Sequence, residues 1–206
     1  MRPGQVPVAI LLSGRGSNFL ALHAAIERGE VPARIVLVAS NEPEAPGLSK
    51  ARELGLPTAT VPHRDVGGQA AHERNLLAAL EQAGPEWVCL AGYMRLLSAT
   101  FIARYRWRIL NVHPSLLPAF PGLEAQRQAL DYGARVSGCT VHLVDEGLDS
   151  GPIVEQRAVR VLDTDTPEDL AARILAEEHL AYPAALRRLL VESWEVRGRR
   201  LVFGAA

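Results

Sequence analysis

Short apolar runs that alternate with helix-patterned stretches constrain this chain more than any other feature. Val8 to Leu12 is apolar without a break, as in a central parallel strand covered on both faces. It ends in SGRGSN, after which Phe19 to Arg28 has helical spacing. The pattern repeats as a strand at Ile35–Ala39, a short helix at Leu48–Leu54 and a strand at Thr58–Val61. A helix over Ala70–Gln82, a buried strand at Trp87–Ala91 and a short helix at Ala99–Tyr105 follow. A further short strand holds Trp107, Ile109, Leu110 and Val112. Strands alternating with helices predict an α/β fold on a mostly parallel sheet.

After Gly122 the pattern changes. Leu123–Tyr132 reads as a helix, and two longer strand-like segments follow at Arg135–Val144 and Ile153–Val161. The turn DEGLDSGP between them predicts a hairpin-like pairing, hence an antiparallel strand in the C-terminal half. Thr166-Pro167-Glu168-Asp169 combines a capping residue, proline at the first helical position and an acid at the third. The helix it starts is predicted to run to about Pro183, where proline kinks or ends it. Arg200–Phe203 is a short strand candidate. No repeat or linker interrupts the 206 residues, which suit one domain over 1–206.

Charge narrows the function classes. Lys and Arg number 22 against 23 Asp and Glu, a net charge of −1, whereas a nucleic-acid partner calls for a basic surface. Cys89 and Cys139 lie in apolar runs without CxxC spacing and read as reduced core residues, with neither a disulfide framework nor a metal site. The first apolar run, Val6–Leu12, is too short to span a membrane and lacks a signal-peptide cleavage pattern. A cytoplasmic protein acting on small molecules is the expectation.

The segment ILNVHPSLLPAFPG, from Ile109 to Gly122, is the first candidate for chemistry. Asn111 and His113 are two apart, so a strand presents both on one face. Pro114 holds His113 in extended geometry, and an amide and an imidazole aimed together from a strand end can form an oxyanion site. A strand-end histidine satisfied by a backbone carbonyl is the competing reading. In SGRGSN, Gly14 and Gly16 let the backbone approach a ligand, while Ser17 and Asn18 can cap the helix and donate to phosphate oxygens. The loop lacks the Walker A ending, and Phe19 stands where a dinucleotide fingerprint needs its third glycine. A terminal phosphate on a small molecule fits; a tight turn with a capped helix is the alternative.

Three further positions stand out. Asp149, in the turn GLDSGP, would favour imidazolium if it lay near His113, or could serve only its own turn. Glu178 falls on the apolar side of its helix, between Ile174 and Leu175, and so has either a specific partner or a boundary position. Ala91 to Leu97 (AGYMRLL) mixes a flexible apolar side chain with a cation, fit to line a flat heterocycle's pocket or simply to pack a helix start.

Taken together, SGRGSN, AGYMRLLS, NVHPSLLPAFPG, SGCTVHLVDEGLDSGP and EEHLAYP resemble the phosphoribosylglycinamide formyltransferase family in order and spacing over nearly the whole chain. The resemblance implies a single-domain Rossmann-like formyltransferase fold and transfer of a formyl group from 10-formyltetrahydrofolate to the glycinamide amine in purine biosynthesis, without a metal. It implies Asn111, His113 and Asp149 as the catalytic trio. It puts the substrate phosphate on Gly16, Ser17 and Asn18, and a substrate contact at Glu178. The folate co-substrate would lie against Met94, Arg95, Leu96, Leu97, Asn111 and the loop Asp145, Glu146, Gly147, Leu148, Asp149. A cis Leu117–Pro118 bond is implied as well, with a monomer or homodimer as the assembly.

Two positions depart from the family pattern: Gln69, where relatives often carry a basic residue toward the folate tail, and Glu124, where some have histidine. Rival readings are a formyltetrahydrofolate deformylase, expected to carry an extra N-terminal domain, and a methionyl-tRNA formyltransferase, with an added C-terminal one. A non-catalytic phosphosugar-binding module and a nicotinamide dehydrogenase are the others. The broken glycine fingerprint, and a second strand ending in Ser40-Asn41 without an acid, speak against the dehydrogenase.

Overall fold

The chain alternates as read: β1 (Val6–Leu12), α1 (Ser17–Glu27), β2 (Ala33–Ser40), α2 (Pro46–Glu53), β3 (Thr58–Thr60), α3 (Gln69–Ala83), β4 (Trp87–Leu90), α4 (Ala99–Arg104) and β5 (Ile109–His113). The computed structural model describes residues 4–64 and 67–204. It divides into two compact units, Met1–Leu110 and Asn111–Ala206, so β5 begins in the first and ends in the second.

In the first unit β1 pairs in parallel with β2 on one side and β4 on the other, and β2 with β3, giving the order β3-β2-β1-β4. Val8 to Leu12 are wholly buried, which is why β1 needs no polar alternation. The order reverses at β1: the chain moves outward through β2 and β3, then resumes on the opposite side with β4. Loops leaving the strand ends at such a reversal border a crevice, the usual ligand position in an open α/β sheet. Beside β4, the Val88 N–H donates to the Arg108 carbonyl (2.9 Å), joining that strand to the chain entering β5.

Trp107 is a correction. It stands outside β5, in a turn at φ 57°, and the extended ladder starts only at Ile109. A left-handed backbone cannot continue a strand, and the Arg106 guanidinium covers the indole instead, 5.0 Å from the ring centre.

The second unit continues with α5 (Ala125–Tyr132), β6 (Val136–Leu143), β7 (Ile153–Arg160), α6 (Pro167–Val191), β8 (Trp194–Arg197) and β9 (Arg200–Phe203), its strands ordered β5-β6-β7-β9-β8. β6 and β7 form the expected antiparallel pair, from Val136 opposite Arg160 to His142 opposite Ile153. β8 and β9 form a second antiparallel pair, of which the sequence reading anticipated only β9. β9 lies parallel to β7 through Ile153 and Arg200.

Helix α6 packs on β6 and β7. Its capping box is present: Thr166 Oγ1 accepts the Asp169 N–H, and Asp169 accepts the Thr166 N–H. The helix does not stop at Pro183 but runs on to Val191. An interior proline costs about 3 kcal/mol. Beyond it Ala185, Leu186 and Leu189 extend the buried stripe of Leu170, Ile174, Ala181 and Tyr182. Two leucines at roughly 1.5–3 kcal/mol each outweigh the missing hydrogen bond.

Cys89 and Cys139 are both buried and unbridged. Burial pushes the Cys139 thiol up to about 12, with the Glu178 carboxylate adding to the shift. Among the described residues no helix is long and apolar enough to cross a membrane.

Candidate active site

The second unit brings three predicted residues together at the end of β5. Asn111 and His113 leave the strand on one face, as their spacing requires, and Asp149 reaches the same place from the turn between β6 and β7. His113 is 5% exposed. Its Nδ1 lies 3.4 Å from Asp149 Oδ2, and its Nε2 lies 2.9 Å from the Phe120 carbonyl oxygen. Both ring nitrogens therefore face acceptors, and only a doubly protonated ring donates to both. The backbone carbonyl of the competing reading is present at Phe120, and the Asp149 carboxylate faces the other ring nitrogen.

Asp149 is itself held from several sides. Its Oδ2 accepts the Gly122 N–H at 2.8 Å, and its backbone is left-handed, at φ 48°. Asp145 braces the same turn: Oδ1 accepts the Ser150 hydroxyl (2.7 Å) and the Gly147 N–H (3.2 Å). A Cβ on Gly151 would run into the Leu143 carbonyl oxygen, so the turn closes only with glycine there. Glu146 and Leu148, from the same predicted set, are exposed.

His142 is a site residue that sequence reasoning missed. Its Nδ1 lies 3.0 Å from the Leu143 carbonyl oxygen, which assigns the ring proton to that nitrogen. Nε2 is then free to accept the Asn111 amide at 3.2 Å, which turns the Asn111 nitrogen inward, and it lies 3.7 Å from Asp149 Oδ1. Burial pushes the His142 imidazole below its ordinary value and keeps it neutral. The signal was available: Thr140 and His142 alternate as buried polar residues on a strand with apolar neighbours.

Thr140 secures the start of the proline-rich loop. Its hydroxyl donates to the Ser115 carbonyl (2.7 Å) and accepts the Leu117 N–H (2.9 Å), while Gln156 donates to the Leu117 carbonyl (2.9 Å). The Leu117–Pro118 bond is cis, as the resemblance implied. Glu178, on α6, is 7% exposed, which rules out the boundary position. Glu124 is the left-handed residue before α5 and faces Arg127 at 3.4 Å.

The other predicted groups lie in the first unit. The glycine loop Ser13–Gly16 follows β1, and the loop Ala91–Leu97 follows β4. Neither Ser17 nor Asn18 caps α1. The cap is Gly16, at φ 73°, and Ser17 and Asn18 already belong to the first turn. They stand at the positive end of the α1 dipole, an arrangement suited to an anion. Gly16 packs so closely on Gly47 that a Cβ there would meet Gly47 Cα at 2.8 Å. In the second loop Met94 and Leu96 are exposed, at 67% and 72%, while Arg95 and Leu97 are half-buried. Gln69 Nε2 donates to the Leu96 carbonyl (3.1 Å) and to Glu73 (3.2 Å). Among the described residues no group of three or more His, Cys, Asp or Glu is arranged to hold a metal ion.

The formyl transferase family model matches residues 6–186. The chain is 39% identical over 192 residues to phosphoribosylglycinamide formyltransferase of Escherichia coli, covering 93% of this chain and 88% of that protein. It is 45% identical over 185 residues to the trifunctional purine biosynthetic protein adenosine-3 of Drosophila melanogaster, covering 89% of this chain but only 14% of that protein's length. The crystal structure of glycinamide ribonucleotide transformylase 1 from Symbiobacterium toebii superposes with a TM-score of 0.95 at 44% identity, covering 98% of this chain and 95% of that one. The chain therefore belongs to the formyl transferase family, among the phosphoribosylglycinamide formyltransferases.

Proposed function

We propose that this protein transfers the formyl group of 10-formyltetrahydrofolate to the glycinamide amine of 5'-phosphoribosylglycinamide, giving 5'-phosphoribosyl-N-formylglycinamide and tetrahydrofolate in purine biosynthesis. The observation that carries this is the His113–Asp149 pair, 3.4 Å apart, beside the Asn111 amide. The amine attacks the formyl carbon, and the formyl oxygen becomes an oxyanion in a tetrahedral intermediate. Asn111 and the charged His113 ring stabilise it, each such donor being worth about 2.7–4 kcal/mol. His113 offers Nε2 to that oxygen when the Phe120 carbonyl gives way. Asp149 orients the ring from its Nδ1 side and, through water, helps carry the proton from the attacking amine to the departing folate nitrogen. Collapse of the intermediate breaks the bond to that nitrogen and releases tetrahydrofolate.

In the first unit, the main-chain amides of the cap Gly16 and of Ser17 and Asn18 take the substrate phosphate, and Met94 to Leu97 pack on the folate heterocycle. In the second, Glu178 contacts the nucleotide substrate and Asp145 to Asp149 contact the folate. We place the chain in the cytoplasm as one formyltransferase domain, acting as a monomer or homodimer on small molecules and not on nucleic acid. Tetrahydrofolate formation, followed spectrophotometrically with and without glycinamide ribonucleotide, tests the reaction. Product only in the presence of the amine supports the transferase, whereas product in its absence means hydrolysis by a deformylase.

A further inference from the structure

Three strand ends of the first unit meet on one hydroxyl. The Ser13 N–H donates to the Gly92 carbonyl oxygen at 3.0 Å. Its Oγ donates to Asn41 Oδ1 at 2.5 Å and accepts the Met94 N–H at 2.8 Å. Ser13 heads the glycine loop after β1, Asn41 stands at the tip of β2, and Met94 lies in the loop after β4. This is the strand reversal at β1, where loops leaving neighbouring strands diverge and need a tie to stay in register.

The tie is well anchored on both sides. Asn41 is 3% exposed, and its amide nitrogen faces Glu42 Oε1 and His63 Nδ1, each at 3.3 Å, which fixes its oxygen toward Ser13. The far end of the Met94 loop is pinned to α3 separately: the Ser98 N–H donates to Glu73 at 2.8 Å, and Gln69 holds the Leu96 carbonyl. Ser13 is thus the near anchor of a loop whose far anchor is α3. A methyl group in place of the hydroxyl removes a donor and an acceptor together, leaving Asn41 and the Met94 amide both unmatched.

We infer that Ser13 is a positioning residue that ties the phosphate loop to the folate loop, so that one hydroxyl sets the geometry of both ligand contacts. This rests on the assignment of phosphate to Gly16–Asn18 and of folate to Met94–Leu97. Only a small side chain with a hydroxyl can donate to Asn41 and accept from Met94 at these distances, so threonine is the conservative replacement and alanine the disruptive one.

The test uses the full chain and isothermal titration with two probes taken separately, glycinamide ribonucleotide and tetrahydrofolate. Ser13→Ala should weaken both by about tenfold, the loss of one to two hydrogen bonds, and Ser13→Thr should restore most of each. Amide exchange at Met94 should accelerate in Ser13→Ala and return in Ser13→Thr. A purely structural serine would lower stability and leave both affinities of the folded protein unchanged, which overturns the inference. Should Ser13→Ala fail to fold, Ser13→Cys keeps the volume, weakens both bonds and carries the same expectation at about threefold. Gly47→Ala, whose methyl would lie 2.9 Å from Gly16 Cα and so shifts the main chain of the phosphate loop, separates the two ways of failing. If it leaves glycinamide ribonucleotide affinity unchanged, the phosphate assignment falls and this inference with it. If it weakens that ligand while Ser13→Ala spares tetrahydrofolate, only the tie is refuted.

Discussion

The carbonyl oxygen of Phe120 lies 2.9 Å from Nε2 of His113, on the ring nitrogen opposite the one facing Asp149. The donor that the proposed mechanism turns on the formyl oxygen is thus held by a main-chain acceptor of the proline-rich loop. That acceptor supplies the ring with a partner of the same kind as the oxyanion, but a weaker one, since a neutral carbonyl binds less strongly than a charged oxygen. Replacement of the carbonyl by the developing oxyanion is favoured most in the transition state, which is where catalysis needs it.

His113→Ala should therefore lower kcat by about 10²–10³-fold, the measured consequence of losing one oxyanion donor elsewhere. Asp149→Asn should lower kcat at least as far, because it also removes a charged acceptor from the Gly122 N–H. Steady-state kinetics with both substrates saturating checks this. Turnover near that of the unmodified protein in either variant defeats the role assignment.

Gly151→Ala should disable the site without touching any of the three proposed catalytic side chains. The added methyl runs into the Leu143 carbonyl and comes within 3.2 Å of the Asp145 N–H, forcing open the turn that carries Asp149. Overpacking of this kind costs about 1–3 kcal/mol. Urea unfolding should show that loss, and kcat of the folded fraction should fall with it.

Gly47→Ala isolates a steric effect at the phosphate loop. Its methyl would lie 2.9 Å from both Gly16 Cα and a Leu12 methyl, so the loop must shift. The KM for glycinamide ribonucleotide should rise, with a stability loss of about 1–3 kcal/mol. Gly16→Ala should lose roughly 1–2 kcal/mol more, for a side chain held at φ 73°. Thermal unfolding and KM measured side by side on the two variants check both statements.

Most of the site was legible because its side chains carry their own signals. The Asn111–His113 spacing and the GLDSGP turn needed only strand periodicity and turn chemistry. The acceptor from Phe120 and the donor from Gly122 were not legible, since a main-chain group leaves no trace in residue identity. Ser17 and Asn18 have the right chemistry for a cap, yet the left-handed turn that precedes α1 suits glycine and moves the helix start back from Phe19 to Ser17. β8 went unnoticed because WEVR is short, half-exposed and charged, and only its pairing with β9 across Gly198 makes it a strand. At Pro183 a local rule lost to packing several residues away.

Acid should weaken this fold in a defined window. His72, His142 and His179 are each pushed below the ordinary imidazole value of 6.5, in every case chiefly by burial. Unfolding returns them to that value, so below about 6.5 the unfolded chain binds more protons. Their contribution is complete above that pH and is lost as pH falls through the lower folded values. Urea midpoints should drop between pH 7.5 and pH 5, and His142→Gln should flatten the slope.

One carboxylate serves two masters in this molecule. Asp149 faces the His113 ring and also carries the Gly122 amide, which belongs to the loop whose Phe120 carbonyl holds the opposite ring nitrogen. Even Asp149→Asn, which keeps an oxygen for the Gly122 N–H, removes the charge that both the ring and the loop amide face and so changes the two contacts together. Anyone wishing to retime loop release independently of the chemical step must work from the loop itself, between Phe120 and Glu124, where the main chain already sits in left-handed geometry at both ends.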